Sequence, residues 1–286
     1  YYPLTLTSLW IEWRLWGMNP MGYHVTNILL HAVTSILFWR VLLRLRIPGA
    51  WFAALVFAVH PVNVESVAWI AERKNTLPMV FYALSILWFV PADNEKTNKG
   101  FWLSLTAFVL AFLSKTSVGM LPFVLLGCLW WLHGKLTAKD VLRTLPFFAV
   151  ALVFALITIW MQYNRAIATD VVQAAGFWER LARAGWAVWF YLSKTLVPLN
   201  LSFGSPRWEI APSSVMVYVP GLAVLGWLAV FWKFRDGWGK APLLGFGYFV
   251  VTLLPVLGFF HIYFQKYSFV ADHWQYTSII GIIALV

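Results

Sequence analysis

The sequence predicts an all-α polytopic membrane protein, and three observations carry that reading. Of 286 residues, 61% are hydrophobic and only 11% are charged, where an ordinary soluble domain carries about 25% charged residues. Long apolar runs recur from Tyr23 to the end of the chain. Nineteen tryptophans, a large number, gather near the ends of those runs, as an interfacial belt requires. A chain of this composition cannot wet its whole surface. In hydrocarbon its backbone polar groups must be satisfied within each segment, which selects helices.

Taken in order, the opening "LTSLWIEWRLWG" carries Glu12 and Arg14 among tryptophans and leucines and is too short and too charged to span. It is expected to lie flat on the membrane, within an extramembrane loop over residues 1–22. Spans are expected at about Tyr23–Leu43, Ala50–Val67, Leu77–Val90, Phe101–Leu113, Val118–Leu132, Leu145–Tyr163, Val215–Trp232 and Pro242–Ile262. A ninth begins near Thr277 and is cut short. The stretch "FWERLARAGWAVWFYLSKTLVPLNLSF" has the length of a span but holds Arg180, Arg183 and Lys194. Treating it as a surface or re-entrant helix within an extramembrane region over 164–214 puts four short basic connectors, "RVLLRLRIPG", "DNEKTNKG", "HGKLTAKDVLR" and "KFRDGWGK", on one side, as the positive-inside tendency favours. The whole of 1–286 then reads as a single transmembrane domain of about nine spans, truncated at both ends.

Several function classes fall away. The single Cys128 lies inside an apolar run and allows no intrachain disulfide. The formal charge of +10 is explained by basic residues flanking spans, so no nucleic-acid partner is expected. No Walker loop, Ser-His-Asp order or zinc motif is present.

On this topology the chemically interesting loops emerge on one face. His24, Asn27 and His31 follow at i, i+3 and i+7 and form one stripe of the first span, either lining a cavity or bonding between helices. His60 precedes Pro61, which opens a turn. Glu65 follows between apolar residues, where a carboxylate can serve as a base or bind substrate. His60 and Glu65 lack a third ligand at metal-site spacing, so a divalent metal is possible but not indicated. Arg73, in the run Glu72-Arg73-Lys74, is either a substrate contact or part of a solvated interface. Lys115 interrupts an almost continuous apolar region among Ser114, Thr116 and Ser117, which suits a phosphate or a snorkelling side chain. Lys266, Asp272 and His273 directly precede the last apolar run, with Asp272 and His273 either an acid/base pair or a cap on that helix. Cations and carboxylates beside an apolar wall are what a lipid-linked phosphate needs.

Read together, "YYPLTLTSLWIEWRLWGMNPMGYHVTNILLHA", "HPVNVESVAWIAERKNTL", "SKTSVGMLP" and "FVADHWQYTSIIG" resemble the membrane part of the transmembrane, tetratricopeptide-repeat-containing O-mannosyltransferases and their bacterial relatives. That family belongs to the GT-C group of polytopic glycosyltransferases. The resemblance covers nearly the whole chain in the same order. It implies a GT-C-like bundle, a polyprenyl- or dolichyl-phosphate sugar donor and a protein or glycan acceptor. A site on the lumenal or periplasmic face, in a bacterial inner membrane, is implied too, with tetratricopeptide repeats beyond the last span. The group's acidic residue in the first extramembrane loop would lie upstream of Tyr1. Glu65 and Asp272 are then the catalytic candidates, and Lys115, Arg73, Lys266, His273, His60, His24, Asn27 and His31 the substrate or phosphate contacts. Where the family often has Arg after the last acidic residue, this chain has His273. Two other classes stay open on the residues alone: a transporter for a lipid-linked precursor, and a non-catalytic anchor for a repeat domain.

Overall fold

The computed structural model describes residues 2–90, 98–167, 176–259 and 263–286. Among these residues every regular element is helical, with no strand. The expected connector "DNEKTNKG" and the loop from Ala166 to Ala175 lie largely outside the described residues. The chain forms two compact units, residues 1–156 and 157–286.

The first unit opens with α1 (Pro3–Trp16), stopped by Gly17 at φ 55°. The helix is inverted relative to one on a soluble protein. Its only buried residues are Thr5 and Glu12, while Leu6, Trp10, Ile11, Trp13, Leu15 and Trp16 are exposed. A polar face turned inward and an apolar face turned outward is what lipid, not water, demands of a helix. Helix α2 (Pro20–Arg44) starts on Asn19, whose side chain accepts the Met21 N–H at 3.0 Å, with Pro20 preset for the first turn. Helix α3 (Ala50–Val59) stops at His60, which is extended ahead of Pro61. A short 3-10 turn then leads into α4 (Val64–Ala68), and the two parts are bent by 50°.

Helices α5 (Arg73–Phe89) and α6 (Asn98–Ser114) are pinned by reciprocal serines. Ser85 Oγ donates to Ser104 O at 2.9 Å and Ser104 Oγ to Ser85 O at 2.7 Å, both buried. Arg44 donates to Val90 O at 2.6 Å, satisfying a carbonyl at the end of α5. Helix α7 (Leu121–His133) follows, and α8 (Ala138–Met161) carries Phe147, which meets Phe89 and Phe108 with ring centroids 5.3 and 5.8 Å apart.

The second unit contains α9 (Phe177–Leu196), α10 (Val219–Lys233), α11 (Lys240–Leu253) and the short α12 (Ile279–Ile283). Two glycine contacts set their spacing. A Cβ on Gly185 of α9 would fall 2.5 Å from the Gly221 nitrogen of α10. A Cβ on Gly281 of α12 would fall 2.4 Å from the Gly245 oxygen of α11. Backbones this close let Tyr191, Phe246, Phe249, Leu253 and Val270 close into one core.

The expected nine spans are not supported. Among the described residues, four helical segments are long and apolar enough to cross a membrane: Pro20–Arg44, Thr116–His133, Ala138–Asn164 and Val215–Lys233. The bent pair Ala50–Val59 and Pro61–Ala68 would make a fifth if it is one span. The surplus came from counting apolar runs as spans. Asn98–Ser114, with 17 residues, rises about 25 Å against a hydrocarbon core of about 30 Å. Lys240–Val256 is also too short, and α12 has only five residues. Helix α9 is long enough but is not among the candidates. The coarse prediction, an all-α chain with several membrane-length helices, holds.

Candidate functional site

The first unit gathers its charge at the start of α5. His60 is in extended conformation, and its Nδ1 accepts the Val62 N–H at 3.3 Å. The short elements that follow deliver Glu72, Arg73 and Asn75 to one buried patch. Arg73 is only 1% exposed. Its Nε donates to Asn27 Oδ1 at 2.5 Å, one terminal nitrogen donates to Tyr23 O at 3.1 Å, and the other lies 2.9 Å from Glu12 Oε2. Two segments distant in sequence, α1 and α2, thus converge on the guanidinium of α5. Glu12 Oε1 is buried with no hydrogen-bond partner among the described residues.

Asn75 joins this patch to Lys115. Its side-chain amide donates to Glu72 Oε2 at 2.5 Å and to Ser66 Oγ at 3.0 Å, and its carbonyl accepts from Lys115 Nζ. Glu72, fully buried, also pairs with Lys74 at 2.8 Å. Lys115 follows directly on α6 and precedes the span Thr116–His133. Burial holds its ammonium well below the usual lysine range, at about 8, with Glu72 opposing that shift and Lys74 adding to it. It is a half-buried cation that still carries charge at neutral pH.

The stripe on α2 divides. Asn27 is buried and bonds to Arg73 and, through its amide, to Trp69 O at 3.2 Å. His31 Nε2 meets Ala58 O at 3.0 Å, and His24 is half-buried. Asn27 and His31 therefore bond between segments. Glu65, half-buried, sits in the first turn of α4 beside Ser66.

Lys266, Asp272 and His273 belong to the second unit. Asp272 is 3% exposed and its Oδ2 accepts the Ser202 N–H at 2.8 Å. Next to it, Ala271 N–H donates to Tyr191 OH at 3.2 Å. His273 is buried against Phe203, Phe264 and Trp274, with ring centroids 5.9 to 6.4 Å apart. Lys266 lies over Tyr263 at 5.9 Å. Among the described residues no three His, Cys, Asp or Glu side chains gather as a metal site would need.

Of the contacts expected from the sequence, Arg73, Asn27 and Lys115 meet in this patch, and Glu12, Glu72 and Asn75, which those contacts do not include, complete it. The only signal for Glu12 was a carboxylate in a helix otherwise crowded with large apolar residues.

The fold and this patch define a polytopic helical membrane protein whose buried cations are held by carboxylates and asparagines brought from four segments. Comparison with known proteins narrows the class. Human protein O-mannosyl-transferase TMTC4 is 35% identical over 130 residues, 38% of this chain and 18% of that protein. Human protein O-mannosyl-transferase TMTC3 is 32% identical over 114 residues, 39% of this chain and 12% of that protein. Mouse protein O-mannosyl-transferase TMTC2 is 38% identical over 92 residues, 32% and 11%. The chain is similar to the TMTC protein O-mannosyl-transferases over about a third of its length or a little more, and the matching segment spans less than a fifth of the length of each of these three. No family model and no solved structure matches it.

Proposed function

We propose that this chain is membrane-embedded machinery of an inverting GT-C glycosyltransferase, moving a mannose-type sugar from a polyprenyl-phosphate donor to a protein hydroxyl on the lumenal or periplasmic face. The observation that supports it most directly is Lys115, a half-buried lysine oriented by Asn75 and facing Glu72, in a relative of protein O-mannosyl-transferases. In this reading a carboxylate takes the proton of the acceptor hydroxyl. Glu65 is the candidate base of the first unit and Asp272 that of the second. The acceptor oxygen attacks the anomeric carbon, the bond from that carbon to the phosphate oxygen breaks, and the configuration inverts. The electron pair leaves with the lipid phosphate, and Lys115 neutralises the charge gained. Arg73 acts mainly by positioning, since its Nε and both terminal nitrogens already engage Asn27, Tyr23 and Glu12. His24, Asn27, His31 and His60 shape the wall around Lys115 in the first unit, and Lys266 and His273 are proposed as phosphate contacts of the second unit.

The test is label release from a radioactive polyprenyl-phosphate mannose by the full-length protein in nanodiscs. Glu65→Gln and Lys115→Ala are compared with wild type, each checked for folding. Loss of turnover in folded Lys115→Ala supports the phosphate role. Unchanged turnover in both variants would remove these residues from the mechanism, and no turnover by wild type with any donor would remove the transferase reading.

A further inference from the structure

Asn75 stands between two opposite charges. Its side-chain carbonyl accepts from Lys115 Nζ, while its amide nitrogen donates to Glu72 Oε2 at 2.5 Å and to Ser66 Oγ at 3.0 Å. Those partners fix which way the amide points, because an ammonium only donates and an ionised carboxylate only accepts. Asn75 and Glu72 are buried, so these contacts are made away from bulk water. Glu72 takes its ion pair from Lys74 at 2.8 Å, and Arg73 takes its own from Glu12 at 2.9 Å. Glu72 and Lys74 are the charges whose fields reach Lys115. Helix α1 meets the preceding residue, at Ser114 O, through the uncharged Thr5. Among the described residues Lys115 forms no ion pair, and its hydrogen bond goes to the uncharged amide.

An aspartate at position 75 would have the same shape and the opposite effect. It would pair directly with Lys115 and face Glu72 as a like charge. The amide instead lets Glu72 steady the ammonium from one group away, and the ammonium keeps a charge that its hydrogen-bond partner does not cancel. We propose that Asn75 is a positioning residue, a neutral spacer that aims the Lys115 ammonium and withholds a counter-ion from it, so that an incoming phosphate supplies one. A phosphate oxygen then gains a charge-assisted hydrogen bond without first breaking an ion pair and stranding a buried carboxylate. That the phosphate belongs to a polyprenyl-phosphate donor rests on the function proposed above; the spacer role rests on the contacts of Asn75 themselves.

The test uses the full-length protein in nanodiscs and two readouts. The first is the protonation midpoint of Lys115, read by brief acetic anhydride labelling across pH and mass spectrometry of the peptide that carries it. Asn75→Asp should raise the midpoint by about one pH unit or more, and Asn75→Ala, which removes the acceptor, should lower it. Opposite shifts support the spacer. Shifts in the same direction, or an unchanged midpoint in either folded variant, overturn it, so the role stays testable if one variant does not fold. The second readout is binding of radiolabelled polyprenyl phosphate, which Asn75→Asp should weaken about tenfold. Undiminished binding in folded Asn75→Asp overturns the role toward an anion. A wild type that binds no polyprenyl phosphate, with the midpoints shifted as expected, removes the donor reading and leaves the spacer standing.

Discussion

Glu12 on α1 and Arg73 on α5 form a 2.9 Å ion pair whose side chains are 7% and 1% exposed. Sixty residues of chain separate them, so the contact fixes tertiary structure, not a local turn. Removing one member strands the other in low dielectric, at a cost of about 3–5 kcal/mol. Glu12→Gln and Arg73→Met should each lower thermal stability in nanodiscs by that order. The double variant should lose clearly less than the sum. Additive losses would show that the two side chains are not coupled.

The depressed ammonium of Lys115 makes a prediction about pH. The folded chain releases this proton near pH 8, whereas the unfolded chain holds it to about 10.5. Between those values the unfolded state binds more protons, so Lys115 contributes a rise of stability with pH across that window. Anion binding runs the opposite way. Affinity for a polyprenyl-phosphate analogue should fall as pH climbs through about 8, and Lys115→Arg, which stays charged, should flatten the profile. A profile identical in wild type and Lys115→Arg would take Lys115 out of donor binding.

Gly185 and Gly221 touch, yet they are not equivalent. A methyl on Gly185 meets the Gly221 backbone at 2.5 Å, while one on Gly221 comes no nearer than 3.7 Å. Gly185→Ala should therefore cost about 1–3 kcal/mol by overpacking. Gly221→Ala should be neutral or mildly stabilising, by up to about 1 kcal/mol of helix propensity. Calorimetric melting of the two variants side by side decides this, and equal losses would argue against the crossing described here.

Ser85 and Ser104 exchange hydrogen bonds to each other's backbone. A double-mutant cycle to alanine should return a coupling of about 0.6 kcal/mol, with about 1.7 as a ceiling for such pairs in membrane helices. A coupling of zero would mean that each serine finds an equivalent partner when the other is gone.

Much of this was legible in the chain. Pro61 after His60 announced the break that ends α3, and Lys115 stood out because a lysine is costly in an apolar region. Asn27 was visible as a polar residue on a membrane helix, although only the structure distinguished interhelical bonding from a cavity lining. Other features were hidden for physical reasons. Hydropathy counts apolar runs but does not see how few helical residues carry them, so α5, α6 and α11, with 17, 17 and 14 residues, look like spans in the sequence. Glu12 was read as one of the charges of a surface helix, because the sign of an amphipathic face depends on the solvent around it. The pairing of Gly185 with Gly221 joins residues 36 positions apart, beyond the reach of local pattern.

Helix α1 has a further consequence. Its described polar ties to the rest of its unit are Thr5 Oγ1 donating to Ser114 O at 2.9 Å and Glu12 to Arg73, while its outer face is oily. Such a joint obeys the reverse of ordinary solubility rules. Hydrocarbon tightens it by strengthening electrostatic contacts, and water loosens it by competing for the same groups. The clasp is closed by greasiness and opened by wetness, so the hydration of the surrounding medium, more than its temperature, sets how firmly the start of this chain is held.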